Sequence, residues 1–298
     1  MNKTKIEWCD STWNPVTGCY HNCEYCYARR IATRFGGNDK HSTFRYGQKD
    51  WHRADNNKGK ELFYDEASKE TPMLFVIDKP LFLPCKLEKR KTEKYGRQIF
   101  ENKKAPYPFD FNPTFHRYRL GEYEQKKGRT IFVCSMADLF GEWVPDEWIE
   151  EVFTACEKAP QHRYLFLTKN PKRYGELAKA GKLPQRENMW YGSTLDSMSA
   201  RRYPGRFRDN TFVSIEPLTE YMDVGLGSFG GDRWVVIGAE TGNRKDKVTP
   251  KKEWVDKICE AADITHMAVF MKDSLIPVVG EENMRREFPW DKRQEESR

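Results

Sequence analysis

Thr130-Ile131-Phe132-Val133-Cys134-Ser135-Met136-Ala137-Asp138 opens as an unbroken apolar run and ends abruptly in polar residues. Consecutive apolar positions without alternation read as a strand buried on both faces. Pro145 then starts a helix with Trp148, Ile149, Val152, Phe153 and Cys156 on one face. Arg163-Tyr164-Leu165-Phe166-Leu167 is the next strand, ending in Thr168-Lys169. Asn170-Pro171 supplies an N-cap and a first-turn proline for a helix that Gly181 stops. Strand, helix and strand in succession imply parallel pairing through right-handed crossovers.

The same unit repeats downstream. Met189-Trp190-Tyr191-Gly192 ends in Ser193-Thr194, and Thr211-Phe212-Val213-Ser214-Ile215 ends in Glu216-Pro217. Arg233-Trp234-Val235-Val236-Ile237 ends in Gly238-Ala239-Glu240. Thr249-Pro250 caps a helix with Trp254, Val255, Ile258 and Ala262 inward. His266-Met267-Ala268-Val269-Phe270-Met271 ends in Lys272-Asp273-Ser274. Each strand is apolar until its C-terminal end, where polar and charged residues gather. In a (β/α) barrel that end is the catalytic face, and a doubly wound sheet shows the same alternation.

Upstream, Trp13-Asn14-Pro15-Val16-Thr17-Gly18 reads as a short strand cut by Pro15 and Gly18. It leads into Cys19-Tyr20-His21-Asn22-Cys23-Glu24-Tyr25-Cys26, and Gly18 is placed to bring the backbone close to whatever that loop binds. Tyr27 to Phe35 follows as a helix with Tyr27, Ile31 and Phe35 recurring every four residues, ended by Gly36-Gly37. Residues 36–112 are irregular and read as an insertion between the first and second barrel strands. They include a basic stretch (Arg45, Lys49, His52, Arg53, Lys58, Lys60), an apolar run at Met73–Ile77 and a charged run from Lys86 to Lys94 that reads as helix. Phe111–His116 reads as the second strand, and Glu281–Arg298 as a charged, frayed tail. The whole chain, 1–298, reads as one domain.

Three cysteines at C-x3-C-x2-C on one loop are a soft thiolate set suited to three irons of a [4Fe–4S] cube. The fourth iron then lacks a protein ligand, and an open coordination position is where a small molecule binds. A structural zinc site is the alternative, but zinc sites favour a second paired spacing. Cys9, Cys85, Cys134, Cys156 and Cys259 are scattered and form no second C-x2-C pair. Cys134 and Cys156 fall on apolar faces and read as core thiols.

The loop, with an aromatic residue before its third cysteine, resembles the signature of the radical S-adenosylmethionine superfamily. Ile6-Glu7-Trp8 and Thr12-Trp13-Asn14-Pro15-Val16-Thr17-Gly18-Cys19 are similar to the phage-type branch of that superfamily, itself similar to spore photoproduct lyase. The superfamily's fold, together with polar ends on six strands, selects the barrel. The expected class is α/β, a partial to near-complete parallel (β/α)6–8 TIM-like barrel with an insertion between its first strands. The resemblance implies a [4Fe–4S] cluster held by Cys19, Cys23 and Cys26, and S-adenosyl-L-methionine cleaved to a 5′-deoxyadenosyl radical that abstracts hydrogen from the substrate. Tyr25 matches the aromatic position whose backbone lies near the adenine. Ser135 and Asp138 are expected to hold the methionine ammonium, and Thr168 with Lys169 a carboxylate or a substrate phosphate. Ser193 is a further cofactor-side residue, and Glu216, Glu240 and Lys272 are the catalytic candidates. The extra cysteine that photoproduct-lyase-type enzymes use as hydrogen donor has no match here, which argues against direct photoproduct repair.

Composition narrows the partners. Lys and Arg number 51 against 45 Asp and Glu, a net charge of +6, and aromatics make up 14% of the chain. Basic charge favours phosphate backbones, and exposed aromatics stack on bases. The leading expectation is a radical enzyme, of isomerase, lyase or oxidoreductase type, acting on a nucleic-acid base or nucleotide. A concrete version is rearrangement of a pyrimidine in phage DNA modification. A peptide or small-metabolite substrate, or a zinc-stabilised nucleic-acid-binding protein, are the alternatives. An electron donor such as flavodoxin or ferredoxin is the implied protein partner. No apolar run reaches membrane-span length and no signal peptide is visible, so a cytoplasmic location is expected, that of the host if the chain is phage-encoded.

Overall fold

The computed structural model describes residues 4–35, 74–80, 82–86, 100–104, 106–197, 200, 202, 210–224 and 229–291. The basic stretch from Arg45 to Lys60, and the run after Lys86 up to Lys94, lie outside the described residues. The strands are β1 (Ser11–Trp13), β2 (Val16–Thr17), β3 (Phe75–Ile77), β4 (Phe82–Lys86), β5 (Phe100–Lys104), β6 (Thr114–His116), β7 (Thr130–Val133), β8 (Arg163–Thr168), β9 (Met189–Thr194), β10 (Thr211–Ile215), β11 (Trp234–Ile237) and β12 (Ala268–Met271). The helices are α1 (Tyr27–Phe35), α2 (Asp146–Lys158), α3 (Lys172–Lys179), α4 (Lys252–Ile264) and α5 (Ile276–Val279). The chain divides into two compact units: Met1–Trp13 with Glu124–Val133 and Asp138–Arg298, and Asn14–Tyr123 with Cys134–Ala137.

The first unit is an α/β half-barrel. Its seven strands run in the order β1-β7-β8-β9-β10-β11-β12, every neighbouring pair parallel. From β7 onward each strand lies beside its predecessor in the chain, so the order never reverses as it does in a doubly wound sheet. Curvature is visible in the packing of Trp8. Its ring lies 4.7 Å from that of Phe132 on β7, 6.2 Å from Phe212 on β10 and 5.9 Å from Trp234 on β11. With β8 and β9 between β7 and β10, one side chain meets both only if the sheet wraps around it.

Side chains alternate between the two faces. Phe212, Trp234, Val236, Ala268 and Phe270 join Trp8, Phe132, Leu165 and Trp190 in the concave core. Val213, Ile215, Val235, Ile237, Val269 and Met271 face outward onto Val255, Ile258 and Ala262 of α4. Phe153 of α2 and Tyr174 of α3 cover Phe166 and Tyr191 on that outer face. Both faces are covered, which is why these strands carry no polar alternation. Asp146 and Glu147 in the first turn of α2, and Lys158 in its last, match the helix dipole.

The final stretch is not a frayed tail up to Asp291. Met271 N–H donates to Arg285 O at 2.8 Å and Glu287 N–H to Val269 O at 2.9 Å, so the chain returns along the edge of β12. Phe288 and Trp290 then lie 5.7 and 5.3 Å from Trp234. Two large aromatics among charges anchor this segment, and pairing it with an edge strand covers hydrogen-bonding groups otherwise left open.

The second unit carries two small sheets. One has the order β2-β6-β3, antiparallel between β2 and β6 and parallel between β6 and β3; β4 and β5 form an antiparallel pair. The stretch expected as the second barrel strand is therefore β6, and it belongs to this sheet. The Thr17 hydroxyl and His116 Nε2 are hydrogen-bonded at 2.8 Å in its interior. Helix α1 forms where expected but turns a different face inward. Ala28 and Ala32 are buried, while Tyr27, Ile31 and Phe35 are 44%, 37% and 56% exposed. Alanine allows close backbone approach to Tyr107, Phe111 and Met136, and the larger side chains are left outside. Among the described residues no helix is long and apolar enough to cross a membrane.

One buried acid makes a stability prediction. Asp232, which accepts from Arg202 at 3.1 Å, has its carboxyl pushed up by burial to about 6, against the pull of Thr211 and Arg202. Between about pH 4 and 6 the folded chain holds this proton more tightly than the unfolded chain. Its contribution to stability is thus present at the acid end and lost as pH rises through about 6. Asp232→Asn is expected to flatten the unfolding free energy over pH 4–7 by up to about 3 kcal/mol. Urea melts across that range measure it, and an unaltered slope would sink the assignment.

Candidate functional site

The cysteine loop is pinned at its entry. Gly18 N–H donates to Met136 O at 2.9 Å and Cys19 N–H to Phe111 O at 3.1 Å. Gly18 has φ +89°, and a Cβ there would lie 2.2 Å from Asn112 O. The close approach that Gly18 makes is to the Asn112 backbone, not the approach to a bound group that the sequence suggested. Asn22 sits at φ 54°, a left-handed conformation asparagine tolerates, and turns the chain between Cys19 and Cys23. Cys26 N–H donates to Cys23 O at 3.2 Å, and α1 starts at the next residue.

Cys19, Cys23 and Cys26 are half-buried thiols, none in a disulfide. Arg29 N–H donates to Cys26 Sγ at 3.3 Å and His21 N–H to Cys19 Sγ at 3.5 Å. The Arg29 guanidinium adds positive charge to the loop and donates to Cys19 O at 3.3 Å. Among the described residues no group of three or more His, Cys, Asp or Glu side chains is gathered as ligands of a metal ion. Tyr25 lies half-buried in the same loop. Ser135 belongs to this unit as well: its hydroxyl donates to Asn14 Oδ1 at 3.1 Å, and its carbonyl accepts from the Tyr27 hydroxyl at 2.6 Å. Met136 N–H also donates to Asn14 Oδ1, at 2.9 Å.

The other candidates lie in the half-barrel, at the C-terminal ends of its strands. Asp138, 6% exposed, is at the centre of one group. Its Oδ2 accepts from the Thr168 hydroxyl and from Lys169 N–H, each at 2.9 Å, and its Oδ1 from Phe140 N–H at 3.0 Å. The Lys169 ammonium pairs with Asp196. Ser193, buried, stands opposite Thr168 in the register of β8 and β9. In a second group Glu216 pairs with Lys272. Ile215, Ile237 and Met271 are in register, so Glu216, Gly238 and Lys272 leave their strands at one level. A Cβ on Gly238 would come within 2.9 Å of Lys272 Cδ, and the glycine leaves room for the pair to close over β11. Glu240 stands apart from both groups, held by Arg244 through two hydrogen bonds of 2.7 and 2.8 Å that draw its carboxyl below the usual range.

The tertiary structure adds Asn14, Asp196 and Arg244 to the residues read from sequence. Asp196 was within reach of the strand-end pattern, two residues past Thr194. Arg244 lies four residues after Glu240, a spacing the sequence displays, whereas Asn14 acts through contacts with Ser135 and Met136 that no local spacing announces. Cys9 is a poor ligand, because burial pushes its thiol up to about 12. Asp138 has three donors on one buried carboxylate, so Asp138→Asn, which turns an acceptor into a donor among them, is expected to cost about 2–3 kcal/mol. A shift below about 0.5 kcal/mol in a denaturant melt would contradict that arrangement.

Comparison with known proteins is sparse: no curated protein and no solved structure matches the chain. One family model matches residues 3–275, from the segment that carries Trp8 to the turn after β12. On that match, which takes in the cysteine loop and every strand of the half-barrel, the chain belongs to the family described as "Protein of unknown function (DUF5131)".

Proposed function

We propose that the chain is a radical S-adenosylmethionine enzyme whose [4Fe–4S] cluster is held by Cys19, Cys23 and Cys26, and whose substrate is a nucleic-acid base or nucleotide. The observation that carries the reading is the loop itself: three half-buried thiols at C-x3-C-x2-C, two of them accepting backbone N–H groups. The donor set fits the group. A cube takes one thiolate per iron, and three soft thiolates on one loop supply three of its irons. When bound, the cluster supplies the electron for reductive cleavage of S-adenosylmethionine.

The chain's own residues do the remaining work. The amides of His21 and Arg29 donate to the sulfurs of Cys19 and Cys26 and fix their place in the loop. Lys169 and Lys272 offer cations to carboxylate or phosphate oxygens, and Asp196 and Glu216 offer carboxylates to an ammonium or a base N–H. Each lysine is already paired, so an incoming anion competes with Asp196 or Glu216 for it. The net charge of +6 supports a polyanionic substrate. A small acidic electron carrier, flavodoxin or ferredoxin in kind, is the partner the chemistry requires.

The test is anaerobic. Reconstituted protein is expected to hold about four irons and four sulfides per chain and, with dithionite and S-adenosylmethionine, to release 5′-deoxyadenosine. One zinc per chain without sulfide would end the reading. Modified phage DNA is the expected stimulant of turnover, and a peptide that stimulates in its place would overturn the substrate class.

A further inference from the structure

Directly after the cysteine loop, helix α1 turns an apolar and basic face to solvent. Among the described residues five large apolar side chains are exposed, and three of them, Tyr27, Ile31 and Phe35, belong to this one helix. Single exposed apolar groups are ordinary, but three at successive turns of one helix form a patch, and patches mark places where something docks. With about 3.6 residues per turn, Arg30, Arg34, Tyr27, Ile31 and Phe35 succeed one another around the solvent side, while Ala28 and Ala32 face inward. The Arg34 guanidinium lies 5.3 Å from the centre of the Phe35 ring, so charge and apolar surface share one patch.

The charge on this face has one sign. Helix α1 carries Arg29, Arg30 and Arg34 and no acidic residue. From Cys19 to Phe35 the three arginines meet a single carboxylate, Glu24 of the loop. Arg30 and Arg34 are exposed, whereas Arg29 turns back over the Phe111 ring at 5.1 Å. Exposed aromatic and arginine side chains with few acids match the composition of protein-binding surfaces.

The face is also tied to the thiols. Arg29 donates its N–H to Cys26 Sγ and its guanidinium to Cys19 O, each at 3.3 Å. The Tyr27 hydroxyl donates to Ser135 O at 2.6 Å, which holds that ring in place. Tyr27 follows Cys26 directly, so a partner seated on α1 sits beside the loop.

We propose that the exposed face of α1 is the docking surface for a small acidic electron-carrier protein, of flavodoxin or ferredoxin kind. The proposal rests on the radical reading above, which requires such a carrier, and it adds where the carrier docks. Arg30 and Arg34 draw in its carboxylates, and Tyr27, Ile31 and Phe35 supply the apolar contact. Redox partners meet through small interfaces, for which one helix face is enough. A nucleic-acid strand fits this face less well, because Ile31 offers no π-face to a base and Arg34 already lies against the ring of Phe35. One electron leaves the reduced carrier for each S-adenosylmethionine cleaved. The carrier is oxidised, the sulfonium is reduced, and its bond to C5′ breaks to give methionine and the 5′-deoxyadenosyl radical.

The test separates binding from turnover. A bacterial flavodoxin is titrated onto the immobilised chain at low and physiological salt, and release of 5′-deoxyadenosine is compared with reduced flavodoxin and with dithionite as reductant. The double variant Arg30→Gln/Arg34→Gln is expected to weaken flavodoxin binding about tenfold at low salt and to flatten its salt dependence. Phe35→Ser is expected to weaken binding about fivefold at both salt concentrations, because the lost contact is apolar. Both variants are expected to lose flavodoxin-supported turnover in proportion and to keep dithionite-supported turnover, since dithionite is small and needs no docking surface. Wild-type flavodoxin affinity in both variants, or no binding to the wild-type chain, would overturn the proposal. Loss of nucleic-acid binding with flavodoxin affinity unchanged would give the face to the substrate, and a dimer that dissociates on Phe35→Ser would give it to a second copy; either result sinks the proposal. No product from wild-type protein with dithionite, while flavodoxin still binds and the variants still weaken it, would end the radical reading and leave the docking surface standing.

Discussion

Cys23→Ala is expected to abolish release of 5′-deoxyadenosine, by at least a hundredfold, and to lower iron and sulfide to background. Cys23 is the middle ligand of the proposed set, and Cys26 N–H donates to its carbonyl, so its thiol can be removed while the turn into α1 keeps its backbone pairing. Structural disturbance is bounded by the same geometry. Gly18 N–H to Met136 O and Cys19 N–H to Phe111 O hold the loop entry without the side chain of residue 23. Cys23→Ala is therefore expected to melt within about 1 kcal/mol of wild-type apoprotein. The measurement pairs metal and sulfide analysis with product detection on one preparation. Unchanged iron or unchanged product in the variant would move the ligand role away from Cys23, and wild-type protein that releases no 5′-deoxyadenosine would end the radical reading.

Trp8→Ala is expected to cost about 3–5 kcal/mol, the range for deleting a large buried aromatic. Trp8 is 2% exposed and belongs to no strand, yet its ring fills the concave side of the half-barrel between Phe132, Phe212 and Trp234. Removing it leaves a void bordered by residues from β7, β10 and β11, whose backbones are fixed by the sheet and cannot collapse inward. Its indole N–H is buried with no acceptor among the described residues, so Trp8→Phe sheds an unmatched donor along with part of the ring. That variant is expected to lose much less, about 1–2 kcal/mol. Urea unfolding of both variants decides the point. Equal losses would mean that the sheet does not wrap around this ring.

Much of the half-barrel was legible because burial leaves a local trace. The run from Thr130, the run from Arg163 and the run from Thr211 to Ile215 are apolar at successive positions, and each is a strand covered on both faces. Pro145, Pro171 and Pro250 sit just before α2, α3 and α4, where backbone groups lacking helical partners tolerate proline, but the N-caps are Pro145, Pro171 and Lys251 and not Asn170 or Thr249-Pro250. The polar residues after each strand marked the end where ion pairs gather, and they located Lys169, Glu216 and Lys272 before any partner was known.

What remained hidden depends on which element meets which. Phe111–His116 has strand chemistry, but nothing in it says that β6 pairs with β2 and β3 rather than entering the seven-stranded sheet. Tyr27, Ile31 and Phe35 have helical spacing, as Ala28 and Ala32 do, and packing selected the smaller pair. Phe288 and Trp290 sit among charges that read as a tail, and only the edge of β12 and the ring of Trp234 make them core.

The sequence alone determined an α/β chain with parallel strands, polar strand ends and a loop of three thiols, because periodicity, capping and ligand spacing act over a few residues. Tertiary structure alone decided the order of the strands and the pairing of Lys169 with Asp196 and of Lys272 with Glu216. Those features join residues tens of positions apart, and the energy of such a contact is set by burial and geometry that exist only once the chain has folded.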